Sequence, residues 1–273
     1  MTKNKIFSSG SAALLAARAD LKTFTAPLPP GVTRTVVKRN YALITPDGFV
    51  PSVLPSWKNT VVIINIAPVM NGPRFSQLQL TLDETSTGAG NTGALECFCY
   101  VGSGGCTAQL NGKKYELTTG SYLFLPPKTN FKFSGASKGT RLIVFQKKFE
   151  PLAGQKLPGV LCGHADVIFG QPFLGNKDAR LQVLLPDHLT FDMAVNIFTY
   201  QPNATLPFVE THIMEHGLLM LKGQGVYRLD ADYFPVTAGD VIWMASYCPQ
   251  WFVALGQTPA SYIYYKDVNR APM

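Results

Sequence analysis

Gly120-Ser121-Tyr122-Leu123-Phe124-Leu125-Pro126 returns in character as Gly239-Asp240-Val241-Ile242-Trp243-Met244-Ala245, 119 residues further on. The same shift carries Gly104 onto Gly223, Leu117 onto Val236 and Leu123 onto Ile242, with no gap between them. A constant offset over this many positions indicates an internal duplication, and a duplication constrains the fold before any local reading does. Each copy is a series of short runs rich in Val, Ile, Phe and Tyr, punctuated by Gly, Pro, Asn and Asp. That is the signature of β-strands joined by turns. Two all-β units of this size imply jelly rolls or closed barrels.

The wider sequence agrees. The 273 residues are 46% hydrophobic and 15% charged, with 24 glycines and 20 prolines spread as turn punctuation. The sequence divides into an N-terminal arm (1–30), a first barrel (31–149), a joint rich in proline and glycine (150–166) and a second barrel (167–273). The patch Ala12-Ala13-Leu14-Leu15-Ala16-Ala17 is too short to span a membrane and reads as part of a short helical arm. Residues 83–94, polar and glycine-rich, read as a loop. The net charge of +7 comes from scattered lysines and arginines. No basic helix or nucleic-acid motif accompanies it, so the expected partner is a small anion and not nucleic acid. Five cysteines, an odd number without a Cys-x-x-Cys pair, read as reduced thiols of a cytoplasmic protein.

Function is concentrated at Glu210-Thr211-His212-Ile213-Met214-Glu215-His216, which holds two of only four histidines. Glu210 and His212, two apart, share a face if extended. Imidazole and carboxylate converging on one point suit a first-row divalent metal. His164 and His188 have no such company. Tyr262, Tyr264 and Lys266 alternate on the last strand, and a lysine on that inner face calls for an anion.

The spacing resembles that of the cupin barrels. Their first motif has two histidines one residue apart, then a glutamate three or four residues on, then a glycine after six more. Their second runs from a glycine through Pro-x-Gly to a histidine. Here Glu210 and His212 stand at the paired-histidine positions and His216 at the glutamate position, followed by Gly223. Gln250 stands at the last histidine position after Gly239. The Pro-x-Gly turn is replaced by Ala245-Ser246-Tyr247. The corresponding positions of the first copy, Asn91, Gly93, Cys97 and Phe131, make no metal set, so the first barrel is expected to be metal-free. Glu96 falls off the ligand column, and Glu215, adjacent to His216, points away from the site.

The shuffled ligand order narrows the likeness. The strings at 210–217, Gly223-Gln224-Gly225-Val226-Tyr227, Ser261-Tyr262-Ile263-Tyr264-Tyr265-Lys266-Asp267-Val268-Asn269-Arg270 and Asn40-Tyr41-Ala42-Leu43-Ile44-Thr45-Pro46-Asp47-Gly48 resemble the bicupin (S)-ureidoglycine aminohydrolases. The resemblance implies two tandem cupin barrels and a homo-oligomer. It also implies hydrolysis of (S)-ureidoglycine to (S)-ureidoglycolate and ammonia in purine breakdown through allantoin. It makes Glu210, His212, His216 and Gln250 the ligands of Mn²⁺ or another first-row divalent metal. Glu210, Gln250, Tyr227, Tyr262 and Lys266 become the substrate contacts, with Glu210 and Lys266 carrying the catalysis. Two alternatives stand beside it: another bicupin metalloenzyme that decarboxylates or isomerises a small carboxylate, and a non-catalytic bicupin.

Overall fold

The computed structural model describes residues 31–270, and among these there is no α-helix, only strands and three single 3-10 turns. The expected helical arm over 1–30 lies outside the described residues. No helix among the described residues is long and apolar enough to cross a membrane.

The strands form three sheets. A ten-stranded sheet holds the strands between Pro51 and Lys148, joined by Leu161–His164. An eight-stranded sheet runs in the order Val36–Val37, Tyr41–Ile44, Val241–Met244, His216–Lys222, Ala260–Asp267, Met193–Tyr200, Asn176–Val183, Gln171–Phe173. A three-stranded sheet, Asp232–Thr237, Gln224–Leu229 and Gln250–Leu255, faces the inner side of the eight-stranded one.

Strict alternation in the strands generates three apolar layers. In the first half, Leu78, Leu80 and Leu82 turn inward with Cys99, Val101 and Leu123. In the second half, Leu218, Met220, Tyr262 and Tyr264 meet Tyr227 and Phe252 from the small sheet. The residues between these, Phe75, Phe98 and Phe124 on one sheet and Leu219, Ile263 and Tyr265 on the other, pack the two large sheets back to back. Each such side chain taken fully from water contributes about 1.5–3 kcal/mol, so the middle layer is a substantial part of what holds the halves together.

Two findings depart from the sequence reading. Residues 83–91 are not a loop. They continue a 17-residue strand, Phe75–Asn91, paired with Asn130–Ser134 and with Trp57–Ile66. The glycines that suggested a loop leave room for rings. A Cβ at Gly88 would lie 2.6 Å from the Trp57 ring, and one at Gly90 3.1 Å from that of Phe131. Strands also cross the expected division of the chain. Tyr41–Ile44 pairs with Val241–Met244 of the second half, and Leu161–His164, within the expected joint, pairs with Ser121–Leu125 of the first. The first half thus lends two strands to the sheet of the second, and the joint lends an edge strand to the sheet of the first.

Candidate metal centre and substrate pocket

The site lies inside the second half, between the eight-stranded and three-stranded sheets. His216 opens the strand His216–Lys222, where alternation sends its ring inward and Gly217 outward against the first half. Glu210 and Gln250 form an isolated antiparallel bridge, with N–H to carbonyl bonds of 2.8 and 2.9 Å. This bridge pins the irregular segment before His216 to the small sheet.

His212 is held at both ring nitrogens. Its Nδ1 donates to the Met214 carbonyl at 3.2 Å, and because a carbonyl only accepts, Nε2 is left with a lone pair. The Gln250 side-chain nitrogen lies 2.8 Å from that Nε2. His216 is buried, its ring centroid 4.8 Å from His212 and 5.3 Å from Tyr264, on which it stacks. Burial holds the His216 pKa well below the usual histidine value, and His212 and Lys266 push the same way. The ring is therefore neutral. Its Nε2 is buried and has no hydrogen-bond partner. Leaving such an atom unsatisfied costs about 1–3 kcal/mol. A neutral imidazole with an unused buried nitrogen, beside a second imidazole whose Nε2 lone pair is engaged only by a carboxamide that could itself turn its oxygen to a cation, fits a borderline divalent cation.

Glu210 is half-buried, and burial raises its pKa while Lys266 lowers it. Burial raises the pKa values of Tyr227 and Tyr264, and the Glu210 charge adds to both, so the carboxylate lies within electrostatic reach of these hydroxyls. No three His, Cys, Asp or Glu side chains among the described residues form a group that could hold a metal. What the structure draws together directly is His212, His216 and the carboxamide of Gln250.

The expected substrate contacts surround these groups. Lys266 is the cross-strand partner of His216 and forms no salt bridge among the described residues. Tyr227 donates to Gln250 Oε1 at 3.4 Å. The hydroxyls of Tyr262 and Tyr200 are 3.1 Å apart. The structure adds residues that sequence reasoning did not assign. Asn196 donates to the Tyr264 hydroxyl at 3.1 Å, and so orients the ring that stacks on His216. Tyr264 was readable from its alternation with Tyr262 and Lys266, whereas Asn196 and Tyr200 carry no local signal. In the first half, Cys97 occupies the place of His216. Its thiol lies 3.8 Å from Gln146 Oε1, and burial pushes its pKa up to about 12.

Comparison with known proteins bears on this site. No protein-family model matches the chain. An (S)-ureidoglycine aminohydrolase of Arabidopsis thaliana is 38% identical over 247 residues, covering 89% of this chain and 81% of the relative. One of Escherichia coli K12 is 37% identical over 243 residues, covering 87% and 92%. The chain belongs to the (S)-ureidoglycine aminohydrolase family. Among solved structures, the Escherichia coli protein Ylba superposes with a TM-score of 0.78 at 33% identity, covering 88% of this aminohydrolase-family chain and 96% of its own. A cupin 2 conserved barrel protein of Leptotrichia buccalis superposes with a TM-score of 0.58 at 14% identity, over 83% and 96%. At that identity the likeness speaks to the fold alone, and it agrees with the cupin architecture expected for this family.

Proposed function

We propose that the protein hydrolyses (S)-ureidoglycine to (S)-ureidoglycolate and ammonia, using Mn²⁺ or another first-row divalent ion held by Glu210, His212, His216 and Gln250. The observation that carries the metal is the buried, unpartnered Nε2 of neutral His216 facing the ring of His212. The substrate reading is supported by the aminohydrolase relatives and by Lys266, an inner-face lysine cross-strand from His216 that forms no salt bridge among the described residues.

When bound, the ion would act as Lewis acid and template for the amine-bearing carbon. The chain's own groups do the rest. The Lys266 ammonium receives the substrate carboxylate and fixes which face of the carbon is presented. Tyr227 and Tyr262 offer hydroxyls to the ureido end. The carbon–nitrogen bond to the amino group breaks, ammonia leaves, and the hydroxyl of a water takes its place. Glu210, with a pKa raised by burial, sits over the pocket as the group that passes the proton between them. The apolar floor of Met220, Phe252 and Leu218 keeps other water out.

The test is colorimetric ammonia release from freshly generated (S)-ureidoglycine, with metal analysis of the purified protein. His212→Ala and His216→Ala should lose both metal and ammonia release. Full activity in metal-free His216→Ala, or carbon dioxide released from a small carboxylate in place of ammonia, would refute the proposal.

A further inference from the structure

The two residues that carry the proposed chemistry on adjacent strands, His216 and Lys266, are cross-strand partners. Each is followed or preceded by an acid that points the other way. Glu215 precedes His216 and Asp267 follows Lys266. Both acids converge on one side chain from the other half of the chain. Arg74, in the turn before the strand Phe75–Asn91, donates its backbone N–H to the two Glu215 carboxylate oxygens at 3.2 and 3.1 Å. Its Nε lies 3.3 Å from Glu215 Oε1, and its Nη2 donates to Asp267 Oδ2 at 2.7 Å. The circuit closes where the Glu215 backbone N–H donates to Asp267 Oδ1 at 2.6 Å.

The ligand-bearing segment needs such a clamp. Residues 211–215 have no regular secondary structure. A cavity of about 220 Å³ lined by Ile213, Met214, Asp267, Val268 and Asn269 leaves the segment unpacked on that side. The Glu215 side chain is 2% exposed, and among the described residues Arg74 is the cation that reaches it. An ordinary exposed ion pair contributes little and positions nothing. This one joins a buried carboxylate, a backbone amide and two strands through five hydrogen bonds and ion contacts.

Resting on the function proposed above, we propose that Arg74 is a positioning residue for the reaction: by holding Glu215 and Asp267 together, it keeps His216 and Lys266 in the register at which metal and substrate carboxylate are bound side by side. The half without a ligand set thereby takes part in the site of the other half.

The test compares Arg74→Met with Arg34→Met on the full chain. Arg34 makes a second ion pair, with Asp240 at 2.6 Å, on the same large sheet but away from the site. Three readouts are taken: exchange of the Glu215 amide proton before and after Mn²⁺ is added, Mn²⁺ affinity, and kcat/KM for ammonia release. Arg74→Met should speed the exchange and weaken Mn²⁺ and kcat/KM by about tenfold or more, the usual effect of removing an outer-shell partner. Arg34→Met should leave all three near wild type. Arg74→Lys, which keeps the charge but loses the fork, is read in the same way should Arg74→Met not fold. Unchanged exchange and Mn²⁺ affinity in the Arg74 variants, or equal losses in Arg34→Met, overturns the inference. A wild-type protein that releases no ammonia defeats the proposed function alone, since exchange and Mn²⁺ affinity still decide the role of Arg74.

Discussion

Replacing His216 by leucine separates a ligand from a packing residue. In the metal-free protein the buried Nε2 has no partner, an expense of about 1–3 kcal/mol. Leucine removes it. Against this stand the stacked contact with Tyr264 and the tilted one with His212, worth about 0.5–1.5 kcal/mol, and the change of shape, worth up to about 1.5 kcal/mol. The terms nearly cancel, so metal-free His216→Leu should lie within about 1.5 kcal/mol of metal-free wild type in urea denaturation. With Mn²⁺ at a hundred times its Kd, the wild type should gain about 2.7 kcal/mol and the variant nothing. Acid adds a second signature. The folded His216 pKa lies well below 6.5, so below that pH the unfolded chain takes a proton that the folded one refuses. Wild-type stability then falls with decreasing pH, by up to about 1.4 kcal/mol per unit from this one group. The leucine variant lacks that slope. Equal stabilisation of both proteins by Mn²⁺, or a metal-free variant several kcal/mol weaker than wild type, would show His216 to be structural.

Three further outcomes follow from the same geometry. Lys266→Met removes a positive charge beside His216 while keeping its stem, so Mn²⁺ should bind at least as tightly, whereas kcat/KM should drop by about 10–150-fold for one charged hydrogen bond lost; steady-state ammonia release with a Mn²⁺ titration reads both. Glu96, buried against Asp192 and Lys147 between the halves, has its pKa pushed up to about 10 by burial and by Asp192. The folded state therefore keeps a proton that the unfolded state loses above its ordinary 4.5, and this stabilisation is complete below 4.5 and declines as pH rises towards 10; Glu96→Gln, which mimics the protonated form, should flatten that decline and be the more stable protein at the alkaline end, as denaturant midpoints across pH will show. Gly217→Ala would set a Cβ 2.2 Å from Phe75 Cζ, where a buried ring has nowhere to retreat; it should cost about 1–3 kcal/mol, seen as a lowered denaturation midpoint.

What the sequence disclosed follows from what alternation and spacing can encode. The inward set His216, Leu218, Met220 and the set Tyr262, Tyr264, Lys266 were readable because a strand repeats every two residues. The cupin spacing after Gly239 matched Gln250 with the histidine pair, and its side-chain nitrogen lies 2.8 Å from His212 Nε2. Long-range pairing leaves no such local trace. Nothing in Tyr41-Ala42-Leu43-Ile44 says that, besides its neighbour Val36–Val37, it joins a strand some 200 residues away. The run 83–91 looked like a loop because its glycines answer to rings on other strands, Trp57 and Phe131, and not to a turn. Arg74 and Asn196 are single polar residues whose partners lie far along the chain, so only the fold could join them to the site.

The packing of the two halves gives the one without a histidine set a part at the pocket of the other. Back-to-back packing gives the outer face of the strand His216–Lys222 to the first half. Phe75 fills the space left by Gly217 and stacks on Tyr265 at 4.1 Å between ring centroids, while Gln77 donates to the Leu218 carbonyl at 3.2 Å. Arg74, in the same short run of chain, fixes the two acids beside His216 and Lys266. Every second residue of the strand His216–Lys222 thus faces the pocket and the residues between them the other half. A one-residue slip of that strand would cast the ligands into the interface and the interface into the pocket. The half that carries Cys97 supports that register from outside the pocket, through Phe75, Gln77 and Arg74.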